Sequence, residues 1–349
     1  MKIEKLTLES YKKWNDFCSE SRDAWFWHTT DYIDYLINYR PERKPQNESF
    51  FIIGDDNKPV GICPLLLEEG ESGEKLFTYG GDYNPNPGLL SRLSLKEKEK
   101  ILDFTFKYLD ELAKDLDVKY YRLRMAALTD SSITDKQYYN YLINYGFIIS
   151  NVNTTIIDLS EDAEKIYNSF RHGHKENIRR YKDKLSAKTF AENTSWEEFN
   201  KYKEMHHLAS GRVTRPEKTF RIMHEWLKAS LAFMVGIKRG EDYAGFFLFS
   251  VFNNKAFYSS SATDPALISL PIGHIAIWEA IKHMKKVNIG FFEIGWQEYG
   301  DTLFKKVSEK EKNLSYFKSG FGGFSKTIFQ GIKFYDQSFR EKILNDKYA

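Results

Sequence analysis

At 349 residues the chain exceeds one typical core and predicts two domains of ordinary size. Apolar residues make up 42%, and 27 Phe and 22 Tyr supply much area to bury, whereas a formal charge of only +2 excludes a chain-wide field for nucleic acid or membrane, so any such surface must be local. Cys18 and Cys63 are the only cysteines, which excludes a disulfide framework and fits a reducing, cytoplasmic setting.

Residues 1–10 carry Lys2, Glu4 and Lys5 with no apolar stretch of the signal-peptide kind. The longest apolar runs, 231–237 and 244–252, are strand-sized, so no transmembrane segment is predicted. Residues 25–35 are aromatic-rich and read as core. Runs 51–54 and 60–67, split by a polar turn, predict a β-hairpin. Residues 79–88, with three glycines and two prolines, form a loop long enough to line a site but match no nucleotide fingerprint. Ile101, Phe104, Tyr108 and Leu112 predict a helix over 95–116, followed by a strand at 118–123. A strand at 154–159 leads to a basic segment, 171–188, read as an amphipathic helix with Ile178, Tyr181 and Leu185 on its apolar stripe. Beyond it come a hairpin (233–236, 244–249), a strand (256–262), a helix (272–286, with Ile277, Ile281 and Met284 on one face) and a strand (289–294).

These elements repeat. Gly54 matches Gly236, Gly61 matches Gly245 and Tyr120 matches Phe291, so hairpin, helix and strand recur about half a chain apart. The repeat predicts an α/β fold of two duplicated lobes with mixed sheets, 1–160 and 161–349, packed around a central cleft. No Pro/Gly/Ser-rich linker marks the junction.

Four segments in this order resemble a known family: 27–32 (Trp-His-Thr-Thr-Asp-Tyr), 169–180 with its basic residues, 271–295, and 317–323 with the pattern Phe-Lys-x-x-Phe-Gly. Together they resemble the GNAT acyltransferase superfamily, in detail its FemABX branch and the BioF2-like, or cellulose-biosynthesis, acetyltransferases. The resemblance spans almost the whole chain. It implies tandem GNAT-like lobes, the first binding the acceptor and the second binding the donor and carrying the chemistry. The chain lacks the heptad insertion that forms a coiled-coil arm in some members. It also lacks a Gln/Arg-x-x-Gly-x-Gly/Ala pyrophosphate loop, having Ala266-Leu267-Ile268-Ser269-Leu270-Pro271-Ile272-Gly273 instead. The implied donor is therefore either an aminoacyl-tRNA or an acyl-CoA, with no permanently bound cofactor.

Amide formation needs a proton acceptor, a donor or cation for the oxyanion, and a polar surface for the donor's phosphates. Lys318 is the candidate for the oxyanion, set beside glycines 320, 322 and 323 where backbone can approach a ligand; the resemblance places it and Phe317 at the donor end. Glu293, inside an apolar strand, and Asp264, in an Asp-Pro turn, are the candidate bases. Arg171, Lys175, Arg179 and Arg180 are the candidate phosphate contacts, in a segment that also holds Lys182, Lys184, Lys188, His172 and His174. Asp82, Tyr83 and Tyr258 are the candidate acceptor contacts. His172, His174, His206 and His207 lack ligand spacing, and no metal is predicted.

The expected activity is acyl or aminoacyl transfer to an amino group of a cell-envelope or surface-polysaccharide precursor, by direct amine attack. The expected partners are an amino-sugar or peptidoglycan-type acceptor and tRNA, not DNA. A CoA-dependent N-acyltransferase acting on an amino sugar, and a non-catalytic nucleotide- or RNA-binding protein, are the alternatives. Nothing in the sequence indicates an oligomeric state.

Overall fold

The computed structural model describes residues 1–136 and 138–348. Two compact units are interlaced in sequence: the first is Met1–Val152 with Gly300–Val307 and Thr327–Ala349, the second Asn153–Tyr299 with Ser308–Lys326. The division expected near 160 thus falls after the first residue of the strand Val152–Asp158, and the chain's C-terminal segment returns to the first unit. No helix among the described residues is long and apolar enough to cross a membrane.

In the second unit a single seven-stranded sheet runs, edge to edge, Ser186–Phe190, Ala232–Arg239, Asp242–Phe252, Lys255–Thr263, Phe291–Gln297, Val152–Asp158, Phe324–Ile328. Lys255–Thr263 and Phe291–Gln297 are parallel, and the helix Ile272–Lys286 makes the crossover that a parallel pair requires. Alternation gives the sheet two apolar faces. Phe233, Val235, Phe247 and Phe249 meet Ile277, Ile281 and Met284 of that helix. On the other face Phe246 meets Tyr202 of the helix Trp196–Ser210, which Ser195 and Glu198 start with a capping box.

The first unit repeats the plan with breaks. Phe50–Ile53 pairs with Pro59–Cys63, and the helix Leu95–Asp115 leads into Val118–Arg124. The run expected as one strand over 60–67 is interrupted at Pro64, which has no N–H for a ladder. Its first part joins a four-stranded sheet and its second, Leu66–Glu69, joins another. The strand parallel to Val118–Arg124 is likewise in two pieces, Lys75–Phe77 and Asn84–Pro85, around the excursion 78–83. On the helix Leu95–Asp115 the buried stripe is Ile101, Leu102, Thr105, Phe106, Leu109 and Ala113, so the expected Ile101 lies on it while the expected Phe104, Tyr108 and Leu112 flank it. The aromatic stretch 25–35 is core, with Trp25, Phe26, Ile33 and Tyr35 all buried.

In both units the far edge of the strand after the helix is covered by a strand from a distant segment. Val152–Asp158 pairs antiparallel with Phe291–Gln297, and Gln330–Phe334 pairs antiparallel with Val118–Arg124. The glycines after Phe317 serve packing: an added methyl on Gly320 would overlap the His174 ring, one on Gly322 the Ser169 side chain, and one on Gly323 the Ile156 carbonyl. They are therefore not an open approach for a ligand, as the sequence had suggested. Gly323 also has φ +82°. Gly323→Ala is expected to destabilise the protein by about 1–3 kcal/mol, read as a lower urea midpoint at unchanged slope.

Candidate functional site

The strand Phe291–Gln297 is bent where its register against Val152–Asp158 slips. Thr155 faces Gly295 and Ile156 faces Glu293, leaving Ile294 as the extra residue of a bulge. Gly295 has φ +99°, a conformation that suits glycine alone, and a Cβ there would stand 2.9 Å from Lys318 Nζ. The missing side chain is what lets the ammonium reach the strand.

Lys318 lies on the last turn of the helix Glu309–Ser319. Ser308 and Glu311 start that helix with a capping box, and its C-terminal end favours a cation. Lys318 Nζ donates to the Trp296 carbonyl at 3.1 Å. Burial pulls the Lys318 pKa below the ordinary lysine value, while the carboxylates of Glu293 and Glu298 pull it back up. Glu293 is fully buried, opposite Phe257 in the parallel ladder. Lys326, on the strand Phe324–Ile328, feels the same two influences: burial lowers its pKa and Glu293 raises it. A buried carboxylate thus acts on two half-buried lysines of the same unit. Sequence reading named Glu293 and Lys318 but missed Lys326, whose strand position gave no signal of a buried partner.

The remaining candidates divide. Arg171 is tied to the end of the Lys318 helix: its Nη1 donates to the Tyr316 carbonyl and its Nη2 to Ser319 Oγ, both at 3.1 Å, with the guanidinium 3.7 Å above the Tyr316 ring. It fixes that helix end. Lys175 Nζ donates to the Asn168 carbonyl at 3.0 Å, Arg179 is exposed and paired with Glu176 at 2.6 Å, and Arg180 is exposed near Tyr181. The basic helix is shorter than expected, His172–Tyr181; Lys182 and Lys184 follow it and Lys188 lies in a strand, paired with Glu198. Phe317 packs on the core against His174, His274 and Phe321 rather than facing outward. Burial lowers the pKa of both histidines, that of His274 to about 4, so neither adds to the basic surface at neutral pH.

Asp264 caps the turn Pro265–Leu267 by accepting from Ala266 N at 2.9 Å, the plain role of an Asp-Pro turn. Tyr258 stacks on Phe247 and Phe249 with its hydroxyl donating to Ser261 Oγ at 2.6 Å, and burial pushes its pKa up to about 12. Asp82 and Tyr83 belong to the first unit. Asp82 is paired with Arg124 at 3.1 Å, and Tyr83 lies under the Arg122 and Arg124 guanidiniums. Their loop is held by Glu68, a fully buried carboxylate that accepts from Gly80 N at 3.0 Å, Gly81 N at 2.8 Å, the Thr78 hydroxyl and Arg43. Nothing in the run around Glu68 had marked it as an anchor.

Two outcomes are expected. Glu293→Gln leaves the burial of Lys318 less opposed, so the Lys318 pKa falls further, read by NMR titration of the dimethylated lysines. The depressed His274 pKa means the native state resists a proton that the unfolded chain accepts. Stability is therefore lost as pH falls from 6.5 toward about 4, and His274→Asn flattens that slope in urea melts at successive pH values.

The sequence matches no family profile and no curated protein. Solved structures do match. FemX superposes with a TM-score of 0.64 at 12% identity, covering 99% of this chain and 100% of that one. L-PGS from Bacillus licheniformis gives 0.59 at 10% identity over 99% and 97%, respectively. A tandem GNAT protein from the clavulanic acid biosynthesis pathway gives 0.53 at 11% identity over 95% and 98%. The chain therefore has a tandem GNAT-like fold of the FemX kind.

Proposed function

We propose that this protein is an acyl- or aminoacyltransferase that forms an amide on an amino group of a cell-envelope or surface-polysaccharide precursor. The observation that carries the reading is the half-buried ammonium of Lys318 at the Gly295 bulge beside Glu293. The acceptor amine attacks the donor carbonyl directly, a C–N bond forms, and the oxyanion that develops is stabilised by Lys318 in a site where low dielectric strengthens the interaction. Glu293 accepts the amine proton, and collapse of the oxyanion expels the donor's hydroxyl or thiol, which takes up a proton. Asp264, already serving as a turn cap, is not needed. The second unit carries the donor and the chemistry, the first the acceptor, with Asp82 and Tyr83 as its candidate contacts. Arg179 and Arg180, exposed on the basic helix, are the candidate contacts for the donor's phosphates. The donor class, aminoacyl-tRNA or acyl-CoA, rests on the family resemblance.

A thermal-shift panel of acetyl-CoA, UDP-amino sugars and charged or uncharged tRNA identifies the ligands, since a ligand of the folded state raises the melting temperature by mass action. Stabilisation by acetyl-CoA and not by charged tRNA would rule out the aminoacyl-tRNA donor, and silence from all three would overturn the enzyme reading. With the responding pair, Lys318→Met is expected to lower kcat by about 10²–10³-fold, with far-UV circular dichroism unchanged.

A further inference from the structure

The first unit contains a cavity of about 420 Å³ beside the start of the helix Leu95–Asp115. That volume is within the range of small-molecule sites. Leu102 and Met125 give it an apolar floor and Tyr138 and Tyr141 an aromatic wall.

Its polar groups are set at one end of the chemistry a ligand could use. Lys98 Nζ donates to Asp23 Oδ2 at 3.1 Å, and both side chains are largely shielded, 21% and 14% exposed. An ammonium has three donors and a carboxylate two oxygens. Among the described residues no other side-chain partner is found for Lys98 Nζ, and none for Asp23 Oδ1. Ser131, 3% exposed, also lines the cavity, and its hydroxyl is buried without a hydrogen-bond partner.

We infer that this cavity binds a small zwitterion, an α-amino acid with an apolar or aromatic side chain. Its ammonium meets Asp23, its carboxylate meets Lys98, and its side chain lies on Leu102, Met125 and the tyrosines. A ligand carrying both charges satisfies the ion pair without leaving either charge buried alone, which a purely apolar or singly charged ligand does not. The inference does not depend on the transfer reaction.

Isothermal titration calorimetry of the whole protein with L-leucine and L-tyrosine tests it. Saturable binding is expected, weakened about tenfold or more for leucinamide and for N-acetyl-leucine, each of which lacks one charge. Lys98→Met is expected to remove binding with circular dichroism unchanged. Should that variant not fold, Leu95→Trp narrows the cavity from its exposed rim and is expected to weaken binding without touching the core. No saturable binding of either amino acid at millimolar concentration, or equal affinity for the blocked analogues, would overturn the assignment.

Discussion

A strand that follows a crossover helix has two edges, and only one of them is covered by its parallel neighbour. In this protein the other edge is closed by a segment from elsewhere in the chain. Val152–Asp158 closes the strand Phe291–Gln297, and Gln330–Phe334 closes the strand Val118–Arg124. An uncovered edge invites wrong partners, so both sheets depend on this closure. The return of the C-terminal segment to the first unit follows from the second of these pairings, because Gln330–Phe334 comes after the second unit in the sequence.

The closure also makes the charge cluster. The register slip between Val152–Asp158 and its partner produces the bulge, the bulge requires Gly295, and the missing side chain at Gly295 admits Lys318. Arg171 and His174 then hold the end of the lysine's helix, His174 Nε2 meeting the Phe317 carbonyl at 2.9 Å. The first unit has the same strand without this chemistry. By the correspondence of Tyr120 with Phe291, Arg122 stands where the second unit has Glu293, and Arg124 where it has Gly295. Two guanidiniums lie against Tyr83, that of Arg124 buried and paired with Asp82, so the duplicated strands have diverged in charge while keeping their place in the sheet.

What could be read from the residues was local. The two hairpins, the helix at 272–286 with its Ile277, Ile281 and Met284 stripe, and the strands after both helices follow from periodicity, and the structure has each of them. Glu293 stood out as an acid in an apolar strand, and its burial is complete. What was not legible is non-local. No pattern in 330–334 says that it pairs with 118–124, a separation of about 200 residues along the chain. The glycines at 320, 322 and 323 look like room for a ligand until the partners that fill that room, His174, Ser169 and Ile156, are known. Lys326 and Glu68 are ordinary charged residues in sequence, and only the fold gives them their partners. The end of the basic helix at Tyr181 was blurred for a different reason: Leu185 continues the helical spacing but is buried after a turn.

The returning C-terminal strand also orders events in time. During synthesis the first unit begins to emerge before the second, yet it lacks Gln330–Phe334 until the second unit has been made. The second unit has all its strands as soon as Phe324–Ile328 is made. The unit translated first is therefore the one that is finished last, and until then the edge of Val118–Arg124 stands open on a nascent chain.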